Sequence, residues 1–225
     1  MILSHKHKFI FICNGKTGTT SIESKIGHLD ESVHMNSSTG GLWVGKHMPP
    51  AVVRALLPKE VWDSYYKFVF VRHPFDWFVS QYRWNFKPPR FPFQHIWSEP
   101  LRAPNYIKHF LFERRIASRS MFHLDDVEML AQKLTSYKGY PHTETRYQYS
   151  YVSGIEGEVI VDKIGKFETL EQDLQEIDSR IGNVIGKLPH LNQTKHKHYL
   201  DHLSPEAMEA IREIWKIDFE KLGYE

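Results

Sequence analysis

Cysteine is almost absent from this chain of 225 residues, in which Cys13 is the only one. A single cysteine excludes an intrachain disulfide and any zinc site built from several thiolates. Apolar runs are also short, and none approaches the roughly 18 residues that a membrane-spanning helix requires. The first residues lead directly into a strand-like segment and lack the layout of a signal peptide. We therefore expect no membrane span and a reducing, cytoplasmic setting.

A strong excess of one charge is missing as well. Lysine and arginine total 29 residues against 27 acidic ones, which leaves a net charge of +2 at pH 7. Nucleic acid is therefore not an expected partner, and any anionic ligand must be bound by a local cluster of basic groups. Histidine is plentiful, with 14 residues. The pairs His5/His7 and His196/His198 have no carboxylate beside them, so we predict no metal site there.

Strand-like and helix-like segments alternate along the chain, with no internal repeat and no long linker. Continuous apolar runs at residues 9–12 and 67–71 are typical of strands buried on both faces of a parallel sheet. The pattern predicts an α/β fold, in which a central parallel sheet is flanked by helices within a single domain over residues 1–225. The predicted helices cover residues 19–28, 51–57, 75–84, 105–113 and 124–134.

The second half of the chain gives further signals. Residues 159–167 are strand-like, with a break near Lys163. A capping-box pattern at residues 169–172 predicts a helix whose apolar stripe contains Leu170, Leu174, Ile177 and Ile181. Ser204 followed by Pro205 predicts the start of a final helix.

A loop with the chemistry of an anion-binding site joins the first apolar strand to its helix. Its residues are Gly15, Lys16, Thr17, Gly18, Thr19, Thr20 and Ser21. Glycines let backbone N–H groups turn toward one point, and the helix N-terminus adds its dipole. Lys16 contributes a positive charge, and the hydroxyl groups contribute donors. The loop predicts a phosphate or sulfate site, with a simple solvated turn as the alternative.

The spacing in this loop argues against a nucleotide kinase or NTPase. Those proteins need glycine, four residues, then Gly-Lys followed by Ser or Thr. Here Lys16 precedes Gly18, and no lysine follows that glycine. The usual Mg²⁺ ligand arrangement is therefore missing too, and we expect an activity that needs no metal.

The second apolar strand leads into another candidate segment. Arg72 follows the strand at the edge where open α/β sheets bind ligands, and Ser80 comes eight positions later. These two side chains can converge on one phosphate, the arginine through a bidentate contact. Alternatively, Arg72 pairs with a carboxylate such as Asp76.

Together the two segments resemble those of sulfotransferases that use 3′-phosphoadenosine-5′-phosphosulfate (PAPS). Residues 16–21, Lys-Thr-Gly-Thr-Thr-Ser, are similar to the family's 5′-phosphosulfate loop, and residues 70–82 to its 3′-phosphate motif. Residues 164–171 and 188–192 are similar to the carbohydrate branch that includes the chondroitin 4-O type. The resemblance implies a fold related to nucleotide kinases, PAPS as the donor and 3′-phosphoadenosine-5′-phosphate (PAP) as the product.

The resemblance also implies roles for individual residues. The loop from Gly15 to Ser21 would bind the 5′-phosphosulfate, with Lys16 near the bridging oxygen, whereas Arg72 and Ser80 would bind the 3′-phosphate. Lys195 and Lys197 fall where relatives have a loop that closes over the donor, although an exposed basic loop explains them equally well.

In-line sulfuryl transfer needs a base that takes the proton of the acceptor hydroxyl. We choose His47, because related enzymes bring a histidine or glutamate toward the donor at this place and because Lys46 favours its neutral form. His73, beside Arg72, is the alternative, and we expect it to pack behind the phosphate site. A glutamate or aspartate, for example within residues 84–139, is the third candidate for the base.

Residues 84–139 are a possible acceptor-binding region. At its start, aromatic residues alternate with basic ones, namely Trp84, Phe86, Phe91, Phe93 and Trp97 with Arg83, Lys87, Arg90 and Arg102. Aromatic faces suit a sugar ring or an aryl group, and the arginines suit an anionic acceptor, with a simple cap on the helical layer as the alternative. We expect a hydroxylated glycan first, and a lipid or small metabolite next. The competing functions are a nucleotide-dependent phosphotransferase and a non-catalytic module that binds PAPS or a sulfated glycan.

Overall fold

The computed structural model describes residues 1–32, 46–85, 97–98, 100–105, 107–108, 147–188, 199–201 and 203–225. The chain divides into two compact units. The first unit contains Met1–Trp77, Tyr140–His196 and Trp215–Glu225, and the second contains Phe78–Gly139 and Lys197–Ile214. The helix predicted at 124–134 lies outside the described residues.

The first unit is organised around a four-stranded sheet in the order β1-β2-β3-β4. Its strands are β1 (Ile2–Ser4), β2 (Phe9–Ile12), β3 (Tyr66–Val71) and β4 (Lys163–Lys166). The pairs β2/β3 and β3/β4 are parallel, which confirms the prediction for the centre of the sheet. Strand β1 is antiparallel to β2, because the four residues between them are too few for a parallel crossover.

The strand predicted at residues 159–167 was too long. Only Lys163–Lys166 pairs with β3, whereas Val159 forms an isolated antiparallel bridge with Ser153. The strand-like residues Val159 and Ile160 therefore belong to a small local hairpin rather than to the sheet.

Seven α-helices and several short 3₁₀ turns have both ends within the described residues, and residues 97–98, 103–105 and 107–108 are helical as well. The helices are α1 (Thr19–Ile26), α2 (Pro50–Leu56), α3 (Lys59–Ser64), α4 (Pro74–Asn85), α5 (Leu170–Ile181), α6 (Pro205–Ile214) and α7 (Lys216–Leu222). The 3₁₀ turns are Gly27–Leu29, Pro100–Arg102, Gln148–Tyr151, Phe167–Thr169 and Tyr199–Asp201. Helix α4 begins in the first unit and continues in the second from Phe78 onward.

Alternate side chains of the strands point to opposite faces of the sheet, and a separate hydrophobic cluster covers each face. On one face, Ile10 and Val69 pack in a cluster with Val53 of α2 and Trp62 of α3. On the other, Phe11 packs in a cluster with side chains of α1 and α5. The first unit therefore has helices on both faces of the sheet, as predicted for an α/β fold.

The apolar stripe predicted for α5 is confirmed, but its capping box is not. Leu174, Ile177 and Ile181 are buried, and Leu170 packs against the same cluster. Thr169 is the N-cap residue without a side-chain capping bond, because its hydroxyl donates to Asp173 Oδ2 at 2.6 Å instead.

In the second unit, the predicted start of α6 is confirmed. The hydroxyl oxygen of Ser204 accepts a hydrogen bond of 3.2 Å from the amide of Ala207, and Pro205 is the first helical residue. Ala207, Ala210 and Ile211 form the buried side of this helix.

Candidate active site

The candidate site begins at the loop between β2 and α1. Two of its residues have a left-handed backbone, Lys16 with φ 68° and Gly18 with φ 82°. A Cβ atom on Gly18 would lie 3.2 Å from Leu170 Cδ2 and 3.3 Å from Phe167 Cε2, so glycine is required by conformation and by close approach. A left-handed lysine is unusual, and such strain is concentrated at functional sites.

Threonine hydroxyl groups stabilise this loop through hydrogen bonds to its own backbone. Thr17 and Thr19 donate to the backbone carbonyl of Asn14, over 2.8 and 2.5 Å. Both side chains are buried, and Thr20 is exposed. In the first turn of α1, which begins at Thr19, the amide of Ser21 donates to the carbonyl of Gly18 at 3.0 Å. The amides of Thr19 and Thr20 precede every carbonyl to which an amide of this helix can donate. The loop thus combines a lysine, helix-terminal amides and a fixed backbone, which is the chemistry of an anion site.

A tryptophan anchors the same loop. Trp77 Nε1 donates a hydrogen bond of 2.9 Å to the carbonyl of Gly15. The Trp77 ring is itself buried against Trp215, with ring centroids 6.1 Å apart. Sequence reasoning did not single out Trp77, because an aromatic residue inside an apolar helix pattern gives no separate signal.

Arg72 lies against this loop, so the structure brings together the two segments that the sequence singled out. Its side chain is only 7% exposed, and its Nη1 donates to the carbonyl of Lys16 at 3.5 Å. The guanidinium carbon is 4.4 Å from the centre of the Phe167 ring. Burial lowers the pKa of Arg72, while Asp76 and Glu168 act in the opposite direction. Arginine stays charged even so, and a desolvated cation interacts strongly with an anion.

Three buried polar residues that the sequence did not reveal connect these elements. Asn14 Nδ2 donates to the carbonyl of Phe70 at 3.1 Å and to Gln148 Oε1 at 3.3 Å. The side chain of Gln148 also forms hydrogen bonds with the main chain of Arg72. The backbone amide of Gln148 donates to Asp218 Oδ2 at 2.9 Å. Burial raises the pKa of Asp218 to about 6, although the amides of Gln148 and Tyr149 partly offset this.

His47 lies beside Cys13, the residue that directly follows β2. Its Nδ1 is 2.7 Å from the carbonyl oxygen of Cys13. Because a carbonyl only accepts, Nδ1 bears the hydrogen, and the lone pair of the neutral ring is on Nε2. Desolvation lowers the pKa of His47, and the charge of Lys46 acts in the same direction. Both factors favour the neutral ring that a general base requires.

Cys13 itself has no features of a reactive thiol. It is fully buried, and burial raises its pKa to about 12. A thiol in this state is not ionised at neutral pH, and it is the thiolate that acts as nucleophile.

His73 has a different environment from His47. Its ring packs against Phe75, Phe219 and Tyr224, with ring centroids 5.3, 5.8 and 5.1 Å away. Its backbone amide donates to Glu168 Oε1 at 2.7 Å. This is the packed position that the sequence suggested for His73.

The remaining predicted residues are placed as follows. Ser80 is buried on α4, within the second unit. Lys195 and Lys197, and most of the predicted acceptor region 84–139, lie outside the described residues. Within that region Trp97 is described, and its side chain is 84% exposed.

No group of three or more His, Cys, Asp or Glu side chains in the described part of the chain is placed to bind a metal ion. Of the helices in the described ranges, none is both long enough and apolar enough to cross a membrane.

Comparisons with curated proteins and with solved structures give no match. A family model does match, and it extends over residues 1–225, the whole of this chain. Its description is the sulfotransferase family, which is the family predicted from the two candidate anion-binding segments. The chain therefore belongs to the sulfotransferase family and is an enzyme of sulfuryl transfer.

Proposed function

We propose that this enzyme transfers the sulfuryl group of PAPS to a hydroxyl group of a carbohydrate, with His47 as the general base. The main support is the contact between Arg72 and the loop, in which Nη1 lies 3.5 Å from the carbonyl of Lys16. PAPS has a phosphosulfate at one end of its ribose and a phosphate on the 3′ oxygen. Two adjacent cationic elements suit two anionic groups that are only a sugar ring apart.

In this proposal the loop binds the 5′-phosphosulfate. Helix-terminal amides of α1 and the ammonium group of Lys16 would face its oxygens, and the left-handed residues Lys16 and Gly18 give the loop its shape. Arg72 would bind the 3′-phosphate through its guanidinium, assisted by Ser80, Lys195 and Lys197. The Phe167 ring under that guanidinium would limit its motion and exclude water from one face.

The chemical step is an in-line displacement at sulfur. The acceptor oxygen forms a bond to sulfur as the bond between sulfur and the bridging phosphate oxygen breaks. Nε2 of His47 takes the acceptor proton, because Nδ1 already donates to the Cys13 carbonyl. Lys16 stabilises the negative charge that develops on the bridging oxygen, and PAP leaves with that electron pair. The proposed step needs no divalent metal.

The proposed acceptor is a glycan hydroxyl, which follows the resemblance of residues 164–171 to the carbohydrate branch. The Trp97 side chain, 84% exposed, is a surface on which a sugar ring can stack. A hydroxylated lipid or a small metabolite would use the same donor chemistry.

Ligand-dependent thermal stability tests the donor proposal directly. PAP should raise the melting temperature in a saturable way, and adenosine 5′-phosphate, which lacks the 3′-phosphate, should do so much less. If Mg·ATP stabilises the protein and PAP does not, the phosphotransferase alternative replaces this proposal. If PAP binds but no hydroxylated acceptor is ever sulfated, the protein is a binding module.

A further inference from the structure

Gln148 is fully buried at the start of the 3₁₀ turn Gln148–Tyr151, 76 residues along the chain from Arg72. Its Oε1 accepts a hydrogen bond of 2.9 Å from the amide of Arg72, and its Nε2 donates one of 2.7 Å to the carbonyl of Arg72. One side-chain amide thus pairs with both main-chain groups of the same residue. A neighbouring strand makes the same kind of paired contact.

This pairing occurs where the sheet ends. The last parallel partners between β3 and β4 are Val71 and Lys166, so Arg72 lies one residue beyond the ladder. Buried main-chain groups at such a position need other partners, or they cost free energy. Gln148 provides them, and the two different ends of its amide match the carbonyl and the N–H in only one orientation.

The same side chain also reaches the anion-binding loop. Gln148 Oε1 accepts a second hydrogen bond, of 3.3 Å, from Asn14 Nδ2. The carbonyl of Asn14 in turn accepts hydrogen bonds from the hydroxyl groups of Thr17 and Thr19. Gln148 is therefore linked to the loop that contains Lys16 as well as to Arg72.

Asp218 of α7 fixes the turn that presents Gln148. Its Oδ2 accepts from the amide of Gln148 at 2.9 Å, and its Oδ1 from the amide of Tyr149 at 2.8 Å. Asp218 is fully buried, so the carboxylate has a defined position. The chain of contacts runs from α7 through Gln148 to both anion-binding segments.

We propose that Gln148 is a positioning residue of the donor site, which sets the main chain of Arg72 relative to the loop. This role rests on the proposed function, because it concerns the binding of PAPS. Gln148 acts through Arg72 and Asn14 and does not touch the reacting atoms. A methionine at this position has a similar volume but offers neither the donor nor the acceptor.

Calorimetric titration with PAP tests the role, with Tyr149→Phe as the matched control. Gln148→Met should weaken PAP binding about tenfold, which corresponds to about 1.4 kcal/mol. It should raise the KM for PAPS and leave the KM for the acceptor unchanged. Tyr149→Phe removes the hydrogen bond from the same turn to the carbonyl of Gly157, outside the donor site. That variant should lose stability but keep its PAP affinity.

A double variant separates positioning from a general structural effect. In an Arg72→Ala background, Gln148→Met should weaken PAP binding much less than it does in the wild type, because the guanidinium it positions is gone. Equal losses in both backgrounds would overturn the proposal. Asp218→Asn, which leaves the Gln148 side chain intact, should weaken PAP binding in the same direction but by a smaller factor.

Amide hydrogen exchange in the ligand-free protein gives a measurement that does not depend on PAP. The Arg72 amide should exchange faster in Gln148→Met than in the wild type or in Tyr149→Phe. Unchanged exchange at Arg72 would contradict the proposal even if PAP affinity fell. If the wild type fails to bind PAP while the exchange difference is present, the proposed function is wrong, but the positioning of Arg72 by Gln148 stands.

Discussion

The guanidinium carbon of Arg72 lies 4.4 Å from the centre of the Phe167 ring, and the same ring lies close to Gly18 of the candidate anion-binding loop. A Cβ atom on Gly18 would lie 3.3 Å from Cε2 of this ring. Phe167 follows β4 directly, so the end of that strand packs against both candidate anion-binding segments. Residues 164–171 resemble the sulfotransferase family, as the two candidate segments do, and this contact gives a physical reason for that.

Arg72 gives the first prediction. Arg72→Ala should weaken PAP binding by roughly 2–4 kcal/mol, if the guanidinium pairs with a desolvated phosphate. Arg72→Lys keeps the charge but loses the planar contact with Phe167 and the bidentate geometry, so it should recover only part of this loss. Calorimetry with PAP measures both. Wild-type affinity in Arg72→Ala would remove Arg72 from the donor site.

Two glycines of the same region provide a matched pair for the second prediction. Gly18→Ala places a Cβ in a left-handed residue and against Leu170 and Phe167, so the free energy of unfolding should fall by about 1–3 kcal/mol. PAP binding should weaken as well. Gly27→Ala adds a Cβ with nothing within 4 Å at an ordinary helical φ of −60°, so it should leave PAP binding unchanged and raise the free energy of unfolding by about 0.4–1 kcal/mol. Denaturant unfolding and calorimetry compare the two variants, and equal effects would contradict the account of the loop.

Lys16 should affect turnover more than binding, because its charge matters most as the bridging oxygen becomes negative. Lys16→Gly is the informative variant, since glycine adopts the left-handed φ of 68° without strain while the ammonium is lost. Its kcat should fall by about 10²–10³-fold with a modest change in PAP affinity. Lys16→Ala should show the same fall in kcat together with lower stability. A variant with normal kcat would exclude Lys16 from the chemical step.

The pH dependence tests His47. Because desolvation lowers its pKa, kcat/KM should rise with pH through a midpoint below the ordinary histidine value and then become level. The charge of Lys46 lowers the pKa of His47, and the charge of Glu23 raises the same pKa. Lys46 and Glu23 form an ion pair with each other. Lys46→Met should therefore move the midpoint to higher pH, and Glu23→Gln should move it to lower pH. His47→Ala should show no such rise of kcat/KM with pH, and its kcat should fall by about 10²–10⁴-fold, while its affinity for PAP stays normal.

If Lys46→Met and Glu23→Gln leave the midpoint in place, His47 is not the titrating group. If His47→Ala retains its activity, another residue takes the proton. His73 packs among three aromatic rings, so His73→Ala should lower the free energy of unfolding and leave the midpoint of the pH profile in place.

The centre of the fold could be predicted because its signals are local. The apolar runs that became β2 and β3 are buried on both faces, and their continuous hydrophobicity reflects this directly. Strand β1 was missed because its three residues are too few to show a period. Lys67 is buried within β3, and this charged residue did not prevent the prediction of the strand. Its ammonium group is satisfied by the carbonyls of Trp62 and Tyr65 at 3.0 and 2.6 Å.

The site was predictable only in part, for a related reason. Lys16, Gly18 and Arg72 lie directly after strands, in patterns that short segments of sequence contain. Gln148 and Asp218 have no such pattern around them, and they reach the site through contacts between residues about 70 apart in the chain. A buried glutamine looks like any surface glutamine until the fold is known.

The most direct test of sulfuryl transfer is an assay of radiolabelled sulfuryl transfer from PAPS to a panel of hydroxylated glycans, lipids and small metabolites. In excess chelator, the wild type should label a glycan and release PAP in equal amount, and Lys16→Gly and His47→Ala should label it far more slowly. Transfer that stops in chelator and returns with Mg²⁺ would contradict the metal-free step. Absence of transfer to every acceptor, in a protein that binds PAP, would contradict the proposed catalytic function itself.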